Sequence, residues 1–323
     1  MAVYTEVSDD ELARFLDGYA LGRLLSFKGI AEGVENTNYV VHTTNGTFIL
    51  TLYEKRVDPA DLPFFLGLME HLSAGGVTCP LPVRDSRGRV LNELAGKQAA
   101  LITFLEGVWP KRPQVFHTFE LGKALARMHI AGESFPLKRA NALGLSGWQP
   151  LFDKFASRSE EICAGLYDLI AGELSYLHRA WPTDLPEGII HADLFPDNVF
   201  FVDNKLSGII DFYFACNDAL AYDVAICLNA WCFDAQSQYE PAKGSALLDG
   251  YNSVRRLNPA ERAAMPVLAR GAAMRFLLTR SYDWLNTPKD ALVARKDPAD
   301  YVQRLKFHQS VSDIADYTAQ LTS

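Results

Sequence analysis

The sequence predicts an α+β protein in two parts, a small antiparallel β-sheet followed by a larger and mainly helical part. Three observations carry this. The 323 residues are about twice the length of a typical domain. The first third of the chain reads β-β-β-α-β-β. From Phe116 onward apolar residues recur at helical spacing, apart from a β-rich island between Ile189 and Phe214. The composition shifts near Phe104 to Pro113, so the parts are placed at 1–105 and 106–323.

Ser8-Asp9-Asp10-Glu11 is a Ser-x-x-Glu capping box, and Leu12, Phe15, Leu16 and Tyr19 follow it at helical spacing. Leu24–Ile30 reads as a first strand. Tyr39–Thr44 and Thr47–Tyr53 read as a hairpin turning at Asn45-Gly46, a pair suited to the positive φ of a tight turn. A helix is expected from Asp58-Pro59 to Ser73, with Leu62, Leu66, Met69 and Leu72 on one face and Gly75-Gly76 beyond its end. Strands around Val83–Leu94, interrupted by a turn at Asp85–Gly88, and at Gln98–Leu105 complete the first part. In the second, Leu121, Leu125 and Met128 mark one helix, and Phe155–Trp181 reads as a long one bent near Gly165 or Gly172. Everything after Ala219 reads as helical.

Composition excludes several classes. Apolar residues make up 49% and charged residues 22%, which is ordinary globular usage. The 31 Lys and Arg against 39 Asp and Glu leave a formal charge of −8, without the basic cluster a nucleic-acid binder needs. Five cysteines (Cys79, Cys163, Cys216, Cys227, Cys232) show no Cys-x-x-Cys spacing, which argues against a zinc site or a disulfide framework. The acidic start lacks a basic leader, and no apolar run approaches the roughly 18 to 20 residues that span a bilayer. A cytoplasmic protein without nucleic-acid or membrane partners is expected.

The island carries the chemistry. Its strands lead into His191-Ala192-Asp193-Leu194-Phe195-Pro196-Asp197-Asn198 and Ile209-Ile210-Asp211-Phe212. Each residue alone has a bland reading as a turn or cap. Together, Asp-x4-Asn and a later strand-end Asp suit phosphoryl transfer from ATP. One carboxylate takes the proton of an attacking hydroxyl, while an amide oxygen and a second carboxylate hold Mg²⁺ on the phosphates. Magnesium prefers hard oxygen ligands and keeps several waters, so two protein ligands suffice.

This H-x-D-x4-N with a later I-D-F resembles the kinase-like aminoglycoside and choline phosphotransferase superfamily over nearly the whole chain. Within it, the closest resemblance is to the bacterial homoserine kinase family. It rests on Gly33–Val41, Phe48–Glu54, Asp211–Asp218 and Tyr222–Cys232. The resemblance implies a protein-kinase-like two-lobed fold, with a nucleotide-binding lobe ahead of a catalytic and substrate lobe. It implies Asp193 as catalytic base, Asn198 and Asp211 as Mg²⁺ ligands, and His191 and Asp223 as braces of the loop. Gly33, Thr51, Phe104 and Leu105 would meet ATP, the last two as backbone at the link between lobes. Asn38, Tyr213, Arg275 and Arg280 are candidates for the acceptor, with either arginine able to clamp a carboxylate. The implied reaction turns L-homoserine into O-phospho-L-homoserine with release of ADP, a step of threonine biosynthesis. The enzyme would be a monomer or homodimer.

The chain also departs from the kinase pattern. It has neither G-x-G-x-x-G nor G-x4-G-K-[ST]. Thr51 stands where the strand lysine belongs, and Phe65 where its helix glutamate would be, with Glu70 too late on the helix. Lys28, Lys55, Arg56 or a backbone nest are the replacements for that lysine. Between Asp211 and Tyr222 only ten residues intervene, with no A-P-E, which argues against a polypeptide acceptor. Choline or ethanolamine remains open through Tyr213, Phe214, Trp231, Tyr282 and Trp284 as a cation cage, as do an aminoglycoside and an inactive binding module. A metal hydrolase built on His191, Asp193 and Asp211 lacks a second histidine at usable spacing.

Overall fold

The computed structural model describes residues 5–30, 36–54, 58–287 and 295–319. The chain divides into two compact units. One holds the residues up to Glu106 together with Gly208–Tyr213, and the other holds Gly107–Ser207 and the described residues from Phe214 on.

The first unit opens with helix α1 (Asp9–Leu16), capped reciprocally: the Ser8 hydroxyl accepts the Glu11 N–H and the Glu11 carboxylate accepts the Ser8 N–H. Strands β1 (Leu24–Gly29), β2 (Thr37–Thr43) and β3 (Gly46–Leu52) follow. Next come a 3₁₀ turn at Pro59–Asp61, helix α2 (Leu62–Ala74), β4 (Asn92–Leu94) and β5 (Lys97–Thr103). The strands form an antiparallel sheet in the order β1-β2-β3-β5-β4. Tyr39, Val41, Leu50, Leu52, Ala99 and Leu101 bury one face of it against Leu12 and Leu16 of α1, as the two-residue period of a strand allows.

Two expectations need correction here. Thr43 pairs with Gly46, so the hairpin loop is Thr44-Asn45, and neither of these has positive φ. The glycine has become the first residue of β3 instead of a turn residue. The expected Val83–Leu94 strand shrinks to β4 and an isolated bridge from Pro82 to Ile102. The Asp85 carboxylate accepts the N–H groups of Arg87 and Arg89, and this turn replaces ladder bonds between the two pieces.

The second unit contains α3 (Val115–Gly132), α4 (Leu145–Asp153), a 3₁₀ segment at Ala156–Glu161 and α5 (Leu166–Ala180). Then come β6 (Glu187–Ile190), β7 (Val199–Val202), β8 (Lys205–Ile209, whose end belongs to the first unit) and β9 (Cys216–Ala219). The chain closes with α6 (Leu220–Trp231), α7 (Pro241–Asn252), α8 (Pro259–Asn286) and α9 (Ala299–Ser310). The expected continuous helix from Phe155 to Trp181 is thus two segments. The earlier segment ends at Glu161, and Gly165, at φ +77°, turns the chain into the left-handed region immediately before α5. β6 pairs with β9 and β7 with β8. α6 is buried on nearly every side, packs on α8, and forms the axis around which this unit is built.

Candidate active site

β6 ends at Ile190, paired with Cys216 of β9, and the chain leaves the sheet as His191-Ala192-Asp193. Ala192 has φ +62°, a conformation costly for a residue with a side chain, and something must hold it. Asp223 of α6 does so: one oxygen accepts the His191 N–H at 2.7 Å and the other the Ala192 N–H at 3.0 Å. This carboxylate is fully buried. Burial pushes it up, but the hydrogen bond from His129 and the proximity of His129 and His191 outweigh this, so it sits below the usual carboxylate range.

His129 of α3 is the residue that sequence reasoning missed. Its Nε2 lies 3.2 Å from Asp223, and because a carboxylate only accepts, this nitrogen carries the proton. Its Nδ1 and the Tyr251 hydroxyl share a hydrogen bond at 2.8 Å, and that oxygen accepts from Arg255, itself paired with Glu261 at 2.8 Å. The network thus runs from the start of α8 to the loop. A lone histidine late in an amphipathic helix carries no sequence signal for this role.

Beyond Ala192, the Asp193 N–H donates to His191 Nδ1 at 3.3 Å. The Asp193 carbonyl accepts from the Phe195 N–H at 2.9 Å and from Asn198 Nδ2 at 2.8 Å. That bond uses the amide nitrogen, so Oδ1 is the Asn198 atom suited to a hard cation. The indole of Trp231 donates to the Leu194 carbonyl at 2.8 Å. The Asp193 side chain keeps 22% of its surface exposed. Burial pushes its carboxyl up, against the pull of Arg275, His191 and Lys296. His191, Asp193, Asn198 and Asp223 therefore form one assembly within the second unit.

Arg275 of α8 joins that assembly. It is 3% exposed, donates to the Ala192 carbonyl, and places Nη2 3.7 Å from Asp193 Oδ1. Arg280, farther along α8, lies 3.7 Å from Asp300 and over the Tyr301 ring at 4.4 Å.

In the first unit, Asp211 is exposed at φ +65°, two residues before Tyr213. The Tyr213 hydroxyl meets those of Tyr53, at 3.2 Å, and Thr51, and burial pushes it up to about 12. Thr51 is 1% exposed and donates to Asn38 Oδ1 at 2.7 Å across the β2–β3 pair. Asn38, Thr51 and Tyr213 are thus brought together. Phe65 stacks edge-on to Tyr213 at 5.5 Å, while Glu70 pairs with Arg84 at the surface. Phe104 is 44% exposed and Leu105 half-buried. Lys28 is exposed on β1. Gly33, Lys55 and Arg56 lie outside the described residues.

The aromatic residues available for a cation cage are already engaged. Arg275 lies over Phe214, Lys154 over Tyr282 and Arg295 over Trp284. Trp231 is buried on the Leu194 carbonyl, and Tyr213 packs against Phe65 and Tyr53.

Residues 26–257 match the phosphotransferase enzyme family, which is more than half of the chain. The homoserine kinase of Bradyrhizobium diazoefficiens is 63% identical over 98% of this chain and 97% of its own. That of Rhizobium meliloti is 59% identical, with the same shares covered. The chain belongs to the phosphotransferase enzyme family, in its homoserine kinase branch.

Solved structures agree on the fold. An amicoumacin kinase superposes with a TM-score of 0.70 at 15% identity, covering 95% of each chain. A choline kinase from Cryptosporidium parvum gives 0.66 at 15% identity, covering 94% of each. The expected kinase-like α+β fold is therefore the observed one, and the chain is an ATP-dependent small-molecule kinase. Kinases of this family use a divalent cation with ATP. Among the described residues, no helix is long and apolar enough to cross a membrane.

Proposed function

We propose that this phosphotransferase moves the γ-phosphoryl group of ATP to the side-chain hydroxyl of L-homoserine. The hydroxyl oxygen attacks the γ-phosphorus, the bond to the β-phosphate oxygen breaks, ADP leaves, and the hydroxyl proton passes to the Asp193 carboxylate. The acceptor is carried by one observation, the 63% identity to a homoserine kinase over 98% of the chain.

In this reading Asp193 orients the nucleophile and takes its proton, and its pinned backbone supplies the positioning on which such transfer depends. Asn198 Oδ1 and the Asp211 carboxylate are the hard oxygen ligands that suit Mg²⁺. Bound Mg²⁺ supplies charge neutralisation on the phosphates. Residues 1–105 are assigned to nucleotide binding and 106–323 to catalysis and the acceptor, although Gly208–Tyr213 belong to the first compact unit. Gly33, Thr51, Phe104 and Leu105 are assigned to ATP, and Asn38, Tyr213 and Arg280 to the acceptor. Thr51 brings no charge and its hydroxyl is given to Asn38, so the phosphates are left to another cation, with Lys28, Lys55 and Arg56 as candidates, or to a backbone nest. The engaged aromatic faces favour an amino acid over a quaternary ammonium acceptor.

Product analysis tests this. After incubation with Mg-ATP and L-homoserine, ³¹P NMR is expected to show a new phosphomonoester equal in amount to the ADP formed. ADP in equal amount to inorganic phosphate, with no phosphomonoester, overturns the transfer to homoserine.

A further inference from the structure

We infer that Arg275 is a positioning residue for phosphoryl transfer: from α8 it holds the Ala192 carbonyl, so that the left-handed peptide leading into Asp193 points the carboxylate at the acceptor. This rests on the reading of Asp193 as the base.

Three successive peptide groups enter this position, and each is fixed by a different bond. The N–H groups of His191 and Ala192 are both taken by Asp223. The third peptide, between Ala192 and Asp193, is held at both ends, its carbonyl by Arg275 and its N–H by His191 Nδ1. On the far side, the Asp193 carbonyl is held by Phe195 and Asn198. The backbone of Asp193 is therefore clamped before and after, leaving its side-chain torsions, and the guanidinium 3.7 Å from Oδ1 restrains those. Arg275 reaches both the peptide and the carboxylate.

The surroundings of Arg275 suit this role better than contact with an acceptor. The side chain is 3% exposed, and its guanidinium lies 4.3 Å from the Phe276 ring centre and 5.5 Å from that of Phe214. Its charge is spent on a carbonyl and a carboxylate of the protein, and a planar fork meets both at once as an ammonium does not. Arg280 is the α8 arginine whose partner, Asp300, is half exposed.

Steady-state kinetics of ADP release test the inference on the full chain, comparing wild type, Asp193→Asn, Arg275→Lys and Arg275→Met well below their melting temperatures. The expected result is a kcat reduced about 10-fold in Arg275→Lys and about 100-fold in Arg275→Met, since small misplacements of a reacting group cost on this scale. KM for ATP and for homoserine should stay within about threefold of wild type. The partial rescue by lysine distinguishes positioning by a cation from simple space-filling. If Arg275→Met does not fold, Arg275→Lys carries the same comparison. A kcat that is retained while KM for homoserine rises tenfold would make Arg275 an acceptor anchor and overturn the inference. An unchanged kcat in the arginine variants, beside a loss in Asp193→Asn, overturns the inference alone. Near-normal turnover in Asp193→Asn overturns the reading of the base, and this inference with it.

Discussion

Asp223 shows how a single carboxylate organises chemistry it does not perform. Its two oxygens accept two consecutive N–H groups and an imidazole, all without access to water. Replacing it by Asn keeps the volume but turns an NH₂ toward one of those N–H groups and removes the charge. Asp223→Asn should therefore lower stability by about 2 to 4 kcal/mol, measured by chemical denaturation, and reduce kcat together with it. A variant as stable as wild type would show that the loop holds its shape without the charge. The H-x-D-x4-N spacing is legible because its residues lie close in sequence. His129 is not, since it serves Asp223 from a helix 94 residues earlier and nothing local distinguishes it from an ordinary helical residue. Arg275, 83 residues after the Ala192 carbonyl it holds, stands out in the sequence as an acceptor clamp, and its contact with the loop is not legible there.

At the scale of elements, the network depends on how closely α3 and α7 approach. A Cβ on Gly122 would lie 2.2 Å from the Leu247 carbonyl oxygen, and one on Gly250 would lie 2.1 Å from that of Phe119. The two backbones touch, which brings Tyr251 of α7 to His129 of α3. Gly250→Ala is expected to cost about 1 to 3 kcal/mol through forced separation of the helices, and to lower kcat by withdrawing Tyr251. Wild-type melting and turnover would contradict this. Element types were readable where caps and periodicity agree, as at Ser8–Glu11 and Leu62–Leu72. Glycines changed the reading in two places: the bend expected near Gly165 is a full break before α5, and Gly46 enters the strand instead of the turn. Helix α4 was not anticipated, because Pro150 and Gly147 within Leu145–Asp153 disguise its helical spacing.

At the scale of the whole molecule, a second buried polar centre sets the response to acid. His308 of α9 donates from Nε2 to Asn229 Oδ1 at 3.0 Å and accepts at Nδ1 from the Tyr317 hydroxyl at 2.9 Å. Asn229 in turn donates to carbonyls of α6 and α8. Burial, with the charges of Arg304 and Arg270, pushes the imidazole down to about 3. An unfolded chain binds this proton near pH 6.5 and the folded one resists it, so its contribution is complete above about 6.5. It is lost progressively as pH falls toward 3. The melting temperature should fall between pH 7.5 and 5, and His308→Gln, which keeps a donor and an acceptor, should show a shallower fall from a lower starting point. Parallel curves would assign the acid response elsewhere.

The assignment of reaction, acceptor and base together is most directly tested by Mg-ATP-dependent ADP release with homoserine, choline, ethanolamine and kanamycin, run with wild type and Asp193→Asn. The account predicts turnover on homoserine alone, reduced about 10² to 10⁴-fold in the variant, as expected for removal of a general base. Turnover on another alcohol in preference to homoserine, or an Asp193→Asn enzyme that works at the wild-type rate, would contradict it.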